Sequence, residues 1–222
     1  MNFPSRCILT LAYAWSAVAF GAANAAADIS RVIGSVRVES GQAARDVSTV
    51  NGSVTIGAAA RAEAVETVNG SVRIEDRAVV ESAETVNGDV TIGGGVEVRR
   101  DIGTVNGDIT LHSGARVGGS VSNVNGDMLI DGASVGGGIE TVNADIRLTS
   151  GSRVSGGIHV EKNNGHGGSW FGKDQSHPRI TVESGAVLEG PLVFEREVDL
   201  YVAPGVTLPA VQGVQPQRYP LH

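Results

Sequence analysis

The chain repeats, with small changes, the segment Thr85-Val86-Asn87-Gly88-Asp89-Val90-Thr91-Ile92. The asparagine of this segment returns every 18 or 19 residues, at Asn51, Asn69, Asn87, Asn106, Asn125 and Asn143. Two aliphatic residues separated by one position follow each asparagine, as Val90 and Ile92 do here. Because alternate side chains of a β-strand point to the same face, each repeat is predicted to contain a strand with these two side chains inward.

Aliphatic residues also return every six positions within a repeat, as at Val86, Ile92 and Val98. Three such units fill one repeat, and we expect each to form one side of a prism with its aliphatic side chain inward. The pattern predicts an all-β fold, a single-stranded three-sided parallel β-helix, or β-solenoid, of about nine 18-residue coils. It leaves the handedness of the coil undetermined.

The Asn-Gly pair of each repeat is predicted to form a corner of the coil, because both residues adopt positive φ at low cost. Asparagines stacked on one corner can hydrogen-bond to each other along the solenoid axis through their amides. We therefore predict an asparagine ladder that runs from Asn51 to Asn143. The alternative is that each asparagine only solvates its own turn.

Two further columns are expected to point outward. The first consists of the threonines that open each repeat, and it resembles the hydroxyl arrays of ice-binding solenoids, although threonine is also simply a good strand residue. The second follows the asparagines and ends in four acids, Asp89, Asp108, Asp127 and Asp145. Stacked like charges are unfavourable, so this column either binds cations or splays into water.

The composition fits a narrow coil better than an ordinary globular core. Of the 222 residues, 31 are glycine and only 4% are aromatic. Glycines are expected at the corners, while stacked Val, Ile and Leu fill an interior that aromatic rings would overfill. The formal net charge is −7 and no run of Lys or Arg occurs, so we expect no nucleic-acid partner.

The first 27 residues are predicted to be a secretory signal peptide. Arg6 precedes an apolar run from Cys7 to Phe20, and small residues follow up to Ala27. Cleavage after Ala25 and cleavage after Ala27 fit equally well, and the apolar run is too short for a comfortable membrane span. We therefore expect an exported, not membrane-spanning protein of the periplasm or the cell surface, without cysteine once Cys7 is removed.

The pattern divides the chain into a signal peptide at 1–27, a solenoid at 28–208 and a C-terminal tail at 209–222. A loop inserted at 162–178 is indicated because Leu148 and Val182 lie 34 residues apart instead of 18. The bulky segment that begins at Phe194 is expected to cover the C-terminal end of the solenoid, where strands would otherwise expose unpaired backbone.

The inserted loop contains the candidate ligand contacts Trp170, Phe171, His166, Asp174 and His177. Sugar rings stack on aromatic side chains while amides and carboxylates bind their hydroxyls, so one hypothesis is a carbohydrate-binding loop. The alternative is that the two rings cover a coil face or a protein contact. The histidine spacing is not that of a metal site, and we expect no catalytic residue, no metal and no cofactor.

These repeats, written Thr-Val-Asn-Gly-[Ser/Asp]-[Val/Ile]-x-[Ile/Leu] and placed behind a signal peptide, resemble bacterial exported proteins grouped as adhesins of unknown function, which are β-solenoids. The coil length is also similar to that of bactofilins, cytoskeletal proteins that polymerise end to end. The resemblance covers about residues 31–160 and continues more weakly to 208. It departs from bactofilins in two respects, since bactofilins act on the cytoplasmic side and the expected C-terminal cap would hinder growth of a polymer.

The resemblance implies a structural or adhesive, non-enzymatic role and transfers no catalytic residue. The partners it implies are a cell-envelope glycan or another envelope protein. The alternatives are a carbohydrate-binding module that uses the Trp170 loop, and self-association into a bactofilin-like polymer.

Overall fold

The computed structural model describes residues 26–162 and 177–220, and these residues form only β-strands and turns. None of them belongs to a helix long and apolar enough to cross a membrane. The strands of the first half are β1 (Ala27–Ile33), β2 (Val36–Val38), β3 (Ala44–Asn51), β4 (Val54–Ile56), β5 (Arg61–Asn69), β6 (Val72–Ile74), β7 (Val79–Asn87), β8 (Val90–Ile92), β9 (Glu97–Val98), β10 (Ile102–Asn106), β11 (Ile109–Leu111) and β12 (Arg116–Val117). Those of the second half are β13 (Val121–Asn125), β14 (Met128–Ile130), β15 (Ser134–Val135), β16 (Ile139–Thr141), β17 (Ile146–Leu148), β18 (Arg153–Val154), β19 (Ile158–Val160), β20 (Arg179–Val182), β21 (Val187–Leu188), β22 (Leu192–Phe194), β23 (Asp199–Val202), β24 (Val211–Gly213) and β25 (Gln217–Pro220).

The strands stack in parallel to form a three-sided β-solenoid, as the repeat predicts. The first side is a sheet of ten strands in the order β2-β4-β6-β8-β11-β14-β17-β20-β23-β25. A second sheet covers the other two sides, with β9, β12, β15, β18 and β21 on the second side and β10, β13, β16, β19, β22 and β24 on the third. We number the coils one to ten so that each coil ends with its strand of the first side. Coil one thus ends with β2 and coil ten with β25.

The second and third sides are joined in the early coils and separate in the later ones. The long strands β3, β5 and β7 run around the corner between these sides, whereas two short strands replace each of them from coil five onward. In β7 the buried residues Val80 and Ala83 lie three positions apart, but in the next coil Val98 and Ile102 lie four positions apart. The additional corner residue interrupts the strand.

The core is a stack of aliphatic side chains from all three sides. Each strand of the first side from β2 to β20 places two buried residues inside, such as the fully buried Val90 and Ile92 of β8. The prediction that every sixth aliphatic residue points inward is wrong at one of its positions. Val86 is 37% exposed and Val105 is 40% exposed. The reason is alternation along the strand, because the buried residue here is the threonine just before each valine.

The interior also admits one aromatic ring, contrary to the expectation that rings overfill it. Phe194 in β22 is fully buried, and it lies in register between Val160 of coil eight and Gly213 of the final coil. Gly213 has no side chain, so the ring finds room along the axis. Phe194 is therefore a core residue of the solenoid and not an external cover.

The stack contains ten coils, one more than expected. Strands β24 and β25 lie within the segment 209–222, and they pair in parallel with β22 and β23. In the middle of the chain, Ile146 of β17 lies opposite Ile180 of β20, so coil eight is longer by the residues between β19 and β20. The nine spacings of about 4.8 Å between ten coils make a rod on the order of 40 Å long.

Glycine at the Asn-Gly corner is required by the stacking of the coils. Gly70 has a φ of 156°, and a Cβ built there would overlap the carbonyl oxygen of Gly52 in the coil below. Gly88 repeats the arrangement on Gly70. Since a side chain at this position would collide with backbone, the corner sequence repeats with the coil.

Candidate functional site

The asparagine ladder is confirmed. Each side-chain amide donates from Nδ2 to Oδ1 of the asparagine one coil earlier, with distances of 2.9 to 3.0 Å. The bonds run unbroken from Asn143 back to Asn51. At its far end the ladder is closed by Arg196, whose Nη1 donates to Oδ1 of Asn143 at 2.6 Å. The ladder thus stabilises the contact between coils at one corner of the prism.

The threonine column is buried rather than outward, and this corrects the prediction. Thr49, Thr67, Thr85 and Thr104 are 3 to 5% exposed. Each hydroxyl donates to the carbonyl oxygen of the corner glycine in the preceding coil, as Thr85 Oγ1 does to Gly70 at 2.9 Å. The hydrogen bond compensates for burial of the polar group. An ice-binding hydroxyl array cannot be built from these side chains.

The column of serines and aspartates forms a third ladder, made of side chain to backbone bonds. Asp108 N donates to Oδ1 of Asp89 at 3.0 Å, and Asp127 N donates to Oδ1 of Asp108 at 2.8 Å. Burial, followed by the charges of Asp145 and Asp108, raises the pKa of Asp127. Nowhere in residues 26–162 and 177–220 do three His, Cys, Asp or Glu residues form a group that could hold a metal ion.

Four of the predicted ligand contacts, Trp170, Phe171, His166 and Asp174, lie outside the described residues. The fifth, His177, is described and lies directly before coil eight resumes. Its Nε2 is 2.8 Å from Oε2 of Glu197, and its Nδ1 is 3.6 Å from Oδ1 of Asp199. Because its two ring nitrogens face different carboxylates, His177 is held on the protein rather than presented alone.

Residues 195–199, which we call the strap, contact coil eight on both sides of its insertion. Before the insertion, Glu195 accepts a hydrogen bond from the backbone N–H of Lys162 at 3.3 Å and lies 3.1 Å from Nε2 of His159. These two contacts, the first being the stronger, lower the pKa of Glu195. After the insertion, Glu197 and Asp199 face His177, as described above.

Arg196 belongs to the same strap and spans the corner from coil nine to coil seven. Besides Oδ1 of Asn143, its Nη1 reaches the carbonyl oxygen of Val142 at 3.1 Å. Between coils two and seven this corner is bridged by the asparagine of the next coil. The long arginine side chain takes over the bridging position.

An open groove of about 650 Å³ lies on the outer face of the first side, over coils seven to nine. It is lined by Arg147, Arg179, Thr181, Glu183 and Tyr201, together with Ser184, Ala203 and Pro204. Arg147 is paired with Glu183, with Nε 2.8 Å from Oε1. The Arg179 guanidinium lies over the ring of Tyr201, 5.5 Å from its centroid, and Tyr201 stacks on Tyr219 at 4.8 Å.

Sequence reasoning placed the candidate site in the insertion and missed this groove. A signal was present, because Tyr201 and Tyr219 are 18 residues apart, which is one repeat length and puts them in one column. Arg179 gave no such signal, since its position in the column becomes visible only when the length of coil eight is known.

Neither a protein family, a curated protein nor a solved structure was found to match this chain.

Proposed function

We propose that this protein is an exported, non-enzymatic β-solenoid of the bacterial envelope with a structural or adhesive role. The observation that supports it is the continuous locking of coils by the asparagine, threonine and serine/aspartate ladders. Such a stack keeps its outer faces at fixed spacing along the rod, which suits a spacer or a repetitive contact surface. The signal-like N-terminus supports export.

Export is tested by expressing the full chain and a chain lacking residues 1–27, each with a C-terminal tag, in the bacterial host. We expect the full chain in the periplasmic or surface fraction, with a mature N-terminus at Ala26 or Asp28. The shortened chain should remain in the cytoplasm. A full chain that stays cytoplasmic with its first residues intact would contradict the proposal.

The adhesive role is tested by sedimentation of the purified mature chain with isolated cell envelopes. We expect the chain to sediment with them, while an unrelated acidic protein of similar size stays in the supernatant. Treating the envelopes with protease or with glycan-degrading enzymes then separates a protein partner from a glycan partner. If the chain sedimented with none of the envelope fractions, the adhesive role would be contradicted and a purely structural role would remain.

The second candidate is carbohydrate binding by the Trp170 loop. It is favoured by the strap, which fastens Lys162 and His177 on either side of that segment to one rigid coil. Trp170 is the only tryptophan after the predicted signal peptide, so its fluorescence reports on the loop. Addition of cell-wall glycans should shift the emission, and Trp170→Phe should weaken binding; an unchanged spectrum across the glycan panel would dismiss this candidate.

Self-association is supported by the N-terminal edge of the stack. Within residues 26–162 and 177–220, strand β1 pairs with β3 and with no other strand, and Val32 and Ile33 are 68% and 79% exposed. An unpaired edge with exposed aliphatic side chains is a template for another strand. Sedimentation velocity of the mature chain should show species that grow with concentration and that Ile33→Asp removes, whereas a small monodisperse species at all concentrations excludes a polymer.

A further inference from the structure

Arg179 occupies an exceptional position in the serine/aspartate column. Its register neighbours are Asp145 in coil seven and Asp199 in coil nine. The backbone N–H of Arg179 donates to Oδ1 of Asp145 at 2.7 Å, so the ladder continues through its backbone. The side chains of the preceding aspartates accept hydrogen bonds along the column, whereas that of Arg179 lies over the ring of Tyr201.

The guanidinium of Arg179 is available to a ligand. Among the described residues, no carboxylate lies within ion-pair distance of it, although Asp145 and Asp199 are its neighbours along the sheet. Asp199 faces His177 instead, and the other arginine of the groove, Arg147, is paired with Glu183. The groove therefore holds two guanidinium groups against one carboxylate.

Tyr201 positions this guanidinium and does not offer a platform for a sugar. The ring lies between Arg179 of coil eight and Tyr219 of coil ten, so both of its faces are covered within the stack. A guanidinium held over an aromatic ring loses little further freedom on binding. Its planar fork of donors matches the two oxygens of a carboxylate or a phosphate.

We propose that this groove binds an anionic group, a carboxylate or phosphate carried by a polymer, with Arg179 as the principal ligand contact. Thr181 and Ser184 supply hydroxyl donors beside it, and the Arg147–Glu183 pair forms the neighbouring wall. The anion site follows from the geometry of the groove. Only the choice of an envelope polymer as its carrier rests on the proposed function.

The remainder of the chain gives this site a defined electrostatic setting. The net charge is −7, and the four acids of the column end at Asp145, next to Arg179. A polyanion is repelled by this net negative charge, so its binding depends on the local attraction of the Arg179 guanidinium. Binding should therefore weaken as salt is added, since an exposed charge pair is screened over about 8 Å at physiological ionic strength.

Titration calorimetry on the mature chain tests the site with three probes, an oligogalacturonate, a glycerol phosphate oligomer and a neutral glucan oligomer. We expect one of the two anionic probes to bind and the neutral one not to bind. Arg179→Gln should lower the affinity by about tenfold or more, because it removes a charge-assisted fork. Tyr201→Leu should lower it less, because the guanidinium remains but loses its support.

The matched control is Arg73→Gln, which removes an exposed arginine from the outer face of the same sheet in coil three. It should leave affinity unchanged, and thermal melts should show that every variant is folded. Equal binding by wild type and Arg179→Gln, failure of both anionic probes, or preference for the neutral glucan overturns the proposal. A chain that loses anion binding through Arg179→Gln yet still sediments with envelopes separates this site from the adhesive role.

Discussion

At the scale of single residues, the Thr-Val step of each repeat decides which side chain enters the solenoid. Both residues suit a β-strand, and hydrophobicity alone favours burial of the valine. The structure buries the threonine, because its hydroxyl reaches a glycine carbonyl of the preceding coil that would otherwise lie without a partner. Valine at the same place could fill the space but could not make this bond.

Replacement of a column threonine by valine tests this assignment. Thr85→Val should lower the free energy of unfolding by about 1–3 kcal/mol, because it leaves the part-buried Gly70 carbonyl oxygen without this hydrogen bond. Thr91→Val is the control, since Thr91 lies on the outer face of β8 and its change should stay within about 0.5 kcal/mol. Urea unfolding measures both, and equal effects would contradict a buried hydrogen-bonded column.

At neutral pH the stacked carboxylates of the aspartate column repel one another. Burial and the neighbouring Asp145 and Asp108 raise the pKa of Asp127, so the folded protein favours its protonated form and loses stability as pH rises through that raised pKa. Asp127→Asn keeps an oxygen that can accept a backbone N–H and removes the charge. It should stabilise the protein at pH 7, by less than about 1 kcal/mol, and the gain should vanish near pH 3.

The control for this experiment is Asp89→Asn at the start of the acidic run. Asp89 follows Ser71 in the column and thus has an acid on one side only. Its replacement should stabilise the protein less than Asp127→Asn does. If Asp89→Asn gave the larger gain, or Asp127→Asn destabilised the protein at pH 7, repulsion between stacked aspartates would not be the operating effect.

At the scale of elements, the strap joins coils seven, eight and nine where the repeat is broken. Its acids hold Lys162 and His159 before the insertion and His177 after it, while its arginine bridges to Asn143. One element therefore replaces the contacts that regular Asn-Gly corners supply elsewhere. We therefore expect the position of coil eight to depend more on its contacts with the strap than on residues of coil eight itself.

The strap makes a pH-dependent contribution through Glu195. The Lys162 N–H and, secondly, His159 lower the pKa of this carboxylate, so its stabilising effect is present above the ordinary glutamate pKa and is lost as pH falls through the lowered value. Glu195→Gln should reduce stability at pH 6 by less than about 1 kcal/mol, because the group is largely exposed, and should have no effect near pH 2. Urea unfolding at the two pH values measures the difference, and the exposed Glu63→Gln serves as control.

At the scale of the whole molecule, the described strands of each coil pair only with those of the adjacent coils, so coils should be removable in whole units. Deletion of residues 70–87 joins Asn69 to Gly88 and restores the corner sequence, the register and all ladders. We expect a folded β-protein with a lower melting temperature, as a solenoid with one unit fewer loses one interface.

Deletion of half a coil, residues 70–78, is the matched control. It joins the end of β5 to the start of β7, so the following strands meet the wrong sides of the prism. Circular dichroism and thermal unfolding should show a cooperative transition for the whole-coil deletion and none for the half-coil deletion. A cooperative transition for both, or for neither, would contradict coil-by-coil stacking.

The repeat in the sequence determined the parallel β-solenoid, its three sides and the asparagine ladder. It could do so because each coil places the same residues at the same corner, and a period of two along a strand separates inside from outside. The final coil was harder to recognise, because Val211–Gly213 and Gln217–Pro220 lack the Thr-Val-Asn-Gly corner.

Only the tertiary structure decided which residue of the Thr-Val step is buried, since the partner of the threonine hydroxyl is a carbonyl group 15 or 16 residues earlier. It also decided the strap and the Arg179 groove. Both consist of contacts between the long coil eight and its neighbours, where the insertion shifts the sequence spacing away from one repeat length per coil. The repeat therefore predicts the position of a residue in the stack wherever its spacing is regular. Where the spacing is interrupted, only the contacts between coils determine that position.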